Sequence, residues 1–71
     1  MSIFIPLATN RLMNKLGLDE WTIKDVFETG TIRPRMDKKF KKYEQYGYTV
    51  QISYKHNSNT GEDVITYVAK W

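Results

Sequence analysis

The chain has 71 residues, a formal net charge of +3, 41% hydrophobic and 14% aromatic residues, and no cysteine. That length holds a single domain, 1–71, with a small core, and the aromatic content is too high for a disordered chain. The lack of cysteine excludes a disulfide framework, a thiolate metal site and a cysteine nucleophile, and the start Met1-Ser-Ile-Phe-Ile-Pro reads as neither a signal peptide nor a membrane span, so a cytoplasmic protein with no membrane partner is expected.

In chain order, a brief extended piece precedes Pro6. The spacing of Leu12 and Leu16 then predicts a short first helix over 8–16, with Thr9 or Asn10 as its cap and Gly17 at a left-handed end. Asp19 or Thr22 announces a second helix, with Ile23, Val26 and Phe27 on one face and a stop at Gly30. Helices this short need a sheet to cover. Thr31-Ile32-Arg33 could open a strand, limited by Pro34 to an edge or a strand end.

The most regular pattern comes last. Tyr48, Val50, Ile52 and Tyr54 alternate with Thr49, Gln51 and Ser53, the period of a half-buried strand. A turn dense in Asn, Ser and Gly follows, and then a second strand from Asp63 to Lys70. A hairpin centred on Ser58 and Asn59 would set Ile52 opposite Ile65, Val50 opposite Tyr67, Tyr48 opposite Ala69 and Lys55 opposite Glu62, making one face apolar. Val64 and Val68 give the other face apolar groups too, so the last strand is expected inside the sheet. The predicted fold is α+β: two short N-terminal helices packed on a three- to four-stranded antiparallel sheet that ends in a C-terminal hairpin.

Between the helices and this hairpin lies a block of cations. Arg33, Arg35, Lys38, Lys39, Lys41 and Lys42 stand against one acid, Asp37, and Tyr43 and Tyr46 follow. The block is net +5 while the whole chain is +3, so the remaining residues sum to −2. Cations displace condensed counterions from phosphates and rings stack on bases, so these eight residues are the candidate nucleic-acid contacts, with RNA or another anionic partner as ligand. A solvated basic loop accounts for the same run. Tyr48 in the core with Tyr43 and Tyr46 at its rim is the structural reading of the tyrosines. Trp71 either packs on the sheet or, if free, makes an adhesive surface that would favour a homodimer.

The stretch Leu7-Ala8-Thr9-Asn10-Arg11-Leu12, then Gly17-Leu18, Ile23-Lys24-Asp25-Val26 and Thr29-Gly30-Thr31-Ile32 resembles a small prokaryotic domain family of unknown function that begins His-Ala-x-x-Arg-Met. That family is grouped with the RelE- and barnase-like ribonuclease fold, which includes toxins of toxin–antitoxin systems. Ala8, Arg11, Gly17, Gly30 and Ile32 match its pattern, whereas its histidine position is Leu7 here and the step from Arg11 to Gly17 is one residue longer. The resemblance implies an RNA-interacting protein, up to a ribonuclease toxin with an antitoxin partner, and the missing histidine bears on the activity more than on the fold.

RNA cleavage without a metal needs a base, an acid and cations for the developing phosphorane charge. The candidates are Arg11 and Arg35 for phosphate and His56, the one histidine, for proton transfer. Neither a glycine-rich phosphate loop nor a metal-ligand cluster is visible, and no cofactor is implied. The rival is a non-enzymatic inhibitor from a phage or mobile element that docks on a host protein.

Overall fold

The structure, a computed structural model, describes residues 2–33 and 36–71. Its elements are β1 (Ile3–Phe4), α1 (Leu7–Leu16), α2 (Glu20–Thr29), β2 (Thr31–Arg33), β3 (Lys38–Tyr43), β4 (Tyr48–Asn57) and β5 (Glu62–Lys70). The strands form one five-stranded sheet in the order β1-β5-β4-β3-β2. Neighbours run antiparallel except β1, which lies parallel to β5 with Ile3 beside Asp63 and Phe4 beside Val64.

Both helices cover one face. Met13 of α1 and Ile23, Val26 and Phe27 of α2 bury against Val50 and Ile52 of β4 and Ile65 and Val68 of β5, with Leu18 between the helices. Removing a side chain the size of Ile23 or Ile52 from water contributes about 1.5–3 kcal/mol, so this single layer carries the fold. The α+β class and the helices on one face agree with the sequence reading, and β5 is interior as expected. The strand count is five rather than three or four, because two residues of β1 are too few to show an alternation.

The helix ends follow local chemistry. Asp19 caps α2, accepting from the Thr22 N–H at 2.8 Å and from the Thr22 hydroxyl at 2.7 Å. Helix α1 starts after Pro6 with no side-chain cap, and Thr9, one of its two candidate caps, is instead buried and donates to the Ile65 carbonyl at 2.7 Å. Gly17 takes the expected left-handed conformation, φ 70. Gly30 has a different reason to be glycine: a Cβ there would meet the Val26 carbonyl oxygen at 2.3 Å and that of Phe40 at 3.0 Å. The end of α2 and the middle of β3 approach as closely as backbone allows.

The β4–β5 hairpin departs from the expected register. Asn57 pairs with Glu62 around a loop closed by the Gly61 N–H on the Asn57 carbonyl at 2.8 Å. Gly61 has φ 75, so the turn is set by the residue that accepts positive φ rather than by Ser58 and Asn59. A bulge follows. Ser53 faces Tyr67 and Tyr54 faces Ile65, which leaves Thr66 as the extra residue. Ile65 and Val68, three apart, therefore both reach the core, and Tyr67 turns to the opposite face instead of packing against Val50.

Candidate nucleic-acid interface

The described cations of the block lie on strands rather than in a solvated loop. Most of it is β3, paired along its length with β4 and for its first half with β2. Alternation along a strand sends neighbours to opposite faces, so β3 divides the block in two.

Lys39, Lys41 and Tyr43 face the helices. Lys39 Nζ donates to the Phe27 carbonyl at 2.6 Å and lies 4.0 Å from the centre of the Phe27 ring. Lys41 Nζ donates to Asp25 Oδ2 at 2.7 Å and to Thr29 Oγ1 at 2.9 Å, and the Tyr43 hydroxyl donates to the same Asp25 oxygen at 2.6 Å. Helix α2 has no basic residue in its last turn, so β3 supplies the cations that complement its C-terminal carbonyls. Hydrogen bonds from Lys41 and Tyr43 hold the Asp25 carboxyl below its ordinary value, and burial with the Asp25 contact pushes the Tyr43 hydroxyl up. A carboxylate so occupied is a poor general base and a phenol so held a poor acid. These three residues are spent on joining α2 to the sheet.

Among the described residues, no helix lies on the opposite face of the sheet. Three transverse rows cross it from the β5 side towards β2: Trp71, Thr49 and Lys42; then Ala69, Gln51, Phe40 and Thr31; then Tyr67, Ser53, Lys38 and Arg33; beyond them the face continues to the hairpin tip with Lys55 beside Val64 and Asn57 beside Glu62. The first row is closed by paired backbone bonds between Thr49 and Trp71 at 2.7 and 3.0 Å. None of the residues in the three rows is acidic. Trp71 is 60% exposed and Tyr67 56% exposed, so both rings stand in solvent on the β5 side. On the β3–β2 side the Arg33 guanidinium lies 4.7 Å from the Phe40 ring centre, and its enclosed Nε finds no acceptor among the described residues. A guanidinium held over a ring keeps donors with which to bind two oxygens at once.

The remaining candidates lie elsewhere. Arg35 falls outside the described residues. Arg11 is on the solvent side of α1, across the sheet from the open face. His56, 59% exposed, pairs through Nδ1 with Asp63 Oδ1 at 3.1 Å near the tip of the β4–β5 hairpin. Neither Arg11 nor His56 is on the open face of the sheet. Tyr46, in the β3–β4 loop, is exposed and stacks on Tyr48 with ring centres 5.7 Å apart and planes at 15°. Among the described residues, no three histidine or acidic side chains gather to hold a metal.

Sequence reasoning missed Phe40 and Tyr67 as members of this face. The three-residue step from Ile65 to Val68 is the signal for Tyr67, since two apolar positions an odd number apart reach one face only with a bulge between them. No family model, curated protein or solved structure matches the chain. No helix among the described residues is long and apolar enough to cross a membrane.

Proposed function

We propose that the protein binds RNA through the open face of its sheet, with Arg33, Lys38 and Lys42 holding phosphate. The observation that carries this reading is segregation: in three adjacent rows of one uncovered face, cations on β2 and β3 and exposed rings on or just after β5 share a surface, and the acid of that face, Glu62, lies at the far hairpin end opposite Asn57. Phosphate contacts supply affinity by releasing counterions, and the rings offer stacking. The resemblance to a family of unknown function grouped with the RelE- and barnase-like ribonuclease fold supports the same ligand. Cleavage is not part of the reading, because Arg11 and His56 stand away from this face and Leu7 occupies the family's histidine position.

The test is a titration of a labelled RNA oligomer across a salt series. Replacing Arg33, Lys38 and Lys42 together with glutamine should reduce the slope of log K against log salt by about 2, at about 0.7 per phosphate contact on a single strand. The Lys39→Gln, Lys41→Gln pair should leave the slope unchanged. An unchanged slope in the triple variant, or no binding by the parent, sinks the proposal. Exposed Tyr67 and Trp71 would equally serve as anchors in a protein interface. A pull-down that returns one stoichiometric protein and no RNA would favour a non-enzymatic inhibitor docked on a host protein.

A further inference from the structure

Resting on the reading of the open face as an RNA interface, we infer that its ligand is a single strand, laid with its sugar–phosphate backbone along β3 and its bases turned across β4 onto Tyr67 and Trp71. The face has one cationic rail and one aromatic rail. Lys38 and Lys42 stand on β3, with Arg33 beside Lys38 on β2, and the two rings stand two strands away on β5 or at its end. At the usual spacing of neighbouring strands the rails lie about 10 Å apart, a span that one nucleotide bridges from its phosphate to its base.

A duplex would use such a surface badly. It presents two lines of phosphate, and the cations of the three rows lie along β2 and β3 alone. It also keeps its base faces stacked inside, so Tyr67 and Trp71 would have nothing to stack on. Between the rails the floor is low and polar: Thr49, Gln51 and Ser53 on β4, with Ala69 separating the two rings on β5. Hydroxyl and amide groups there can meet the edges of bases splayed across them. Successive rows are about 7 Å apart, so the face accommodates about three nucleotides, the outer two stacked on the rings.

The experiment compares a single-stranded RNA with a duplex of equal length, by anisotropy at fixed salt and by tryptophan emission in a Trp21→Phe background where only Trp71 emits. The single strand should bind at least about tenfold more tightly and should quench Trp71. Tyr67→Ala and Trp71→Ala should each weaken single-strand binding about tenfold without changing the salt slope, and Tyr67→Phe, which keeps the ring, should bind like the parent. Equal or tighter duplex binding with unchanged Trp71 emission, alongside a salt slope that still depends on Lys38 and Lys42, overturns the single-strand pose and leaves RNA binding standing. Absence of binding to either RNA overturns both.

Discussion

The two sides of β3 carry nearly the same residues and do opposite things. Towards the helices, Lys39, Lys41 and Tyr43 end on the Phe27 carbonyl, Asp25 and Thr29, so their polar groups are satisfied by α2. Away from the helices, no side-chain hydrogen bond to an acid or a carbonyl holds Lys38 or Lys42 among the described residues, and across β4 they face Ser53 and Thr49. Net charge in a stretch of sequence therefore overstates the charge available to a partner. A lysine on a strand counts towards binding only if its face is open, and here half of the β3 lysines are used as structural cations at the end of a helix that has none of its own.

The strongest way to break this division is to push α2 off β3. Gly30→Ala places a methyl group against the Val26 and Phe40 carbonyls, both backbone atoms that cannot yield separately. We expect a loss of about 3 kcal/mol, read as a lower urea midpoint. A variant as stable as the parent would mean that the contact between α2 and β3 is looser than the geometry states. Asp25→Ala is next in size, at about 2 kcal/mol, because it leaves Lys41 and Tyr43 without their shared acceptor. It carries a pH signature as well. The Asp25 carboxyl lies below its ordinary 3.8, so its contribution is complete above about pH 4 and is lost as pH falls through the lower folded value. The Tyr43 hydroxyl is raised, so its contribution is present below about pH 10 and declines above it. Asp25→Ala should flatten the acid limb of a stability–pH curve except for the part due to Asp19, whose carboxyl is also held low by Thr22. An acid limb identical to that of the parent would remove Asp25 from the account.

What was legible in the sequence divides along the same line. Periodicity located α1, α2, β4 and β5, since each spans enough residues to show a repeat, and Asp19, Gly17 and Gly30 marked helix ends by chemistry that acts within a turn. The candidate site was legible as composition and not as geometry. Whether Lys39 points to α2 or to solvent depends on the parity of β3, and that parity follows from its register with β4 and from which face of the sheet the helices cover, a contact with a separate element that no local pattern encodes. Tyr67 was misplaced for the same kind of reason: a single extra residue at Thr66 reverses the faces of all that follows in β5. Local chemistry is written residue by residue, whereas facing is a property of the assembled sheet.

The smallest expected effects are the most discriminating, because they compare neighbours. Lys39→Met keeps the aliphatic stem against Phe27 and removes the bond to its carbonyl, which should cost about 1 kcal/mol of stability and leave RNA affinity alone. Lys38→Gln, one residue away, should change stability by no more than about 0.5 kcal/mol, as for an ordinary surface position, while reducing the salt slope of RNA binding by about 0.7. Thermal melts and salt titrations on the two variants therefore form a crossed pair. If Lys39→Met alters the slope, the helix-side lysine reaches RNA and the division between the faces fails. If Lys38→Gln destabilises the fold by as much as Lys39→Met, then Lys38 is bound within the protein and the cationic rail loses its central member. Only the crossed result, stability lost in one variant and slope in the other, is compatible with a strand that has one face for folding and one for binding.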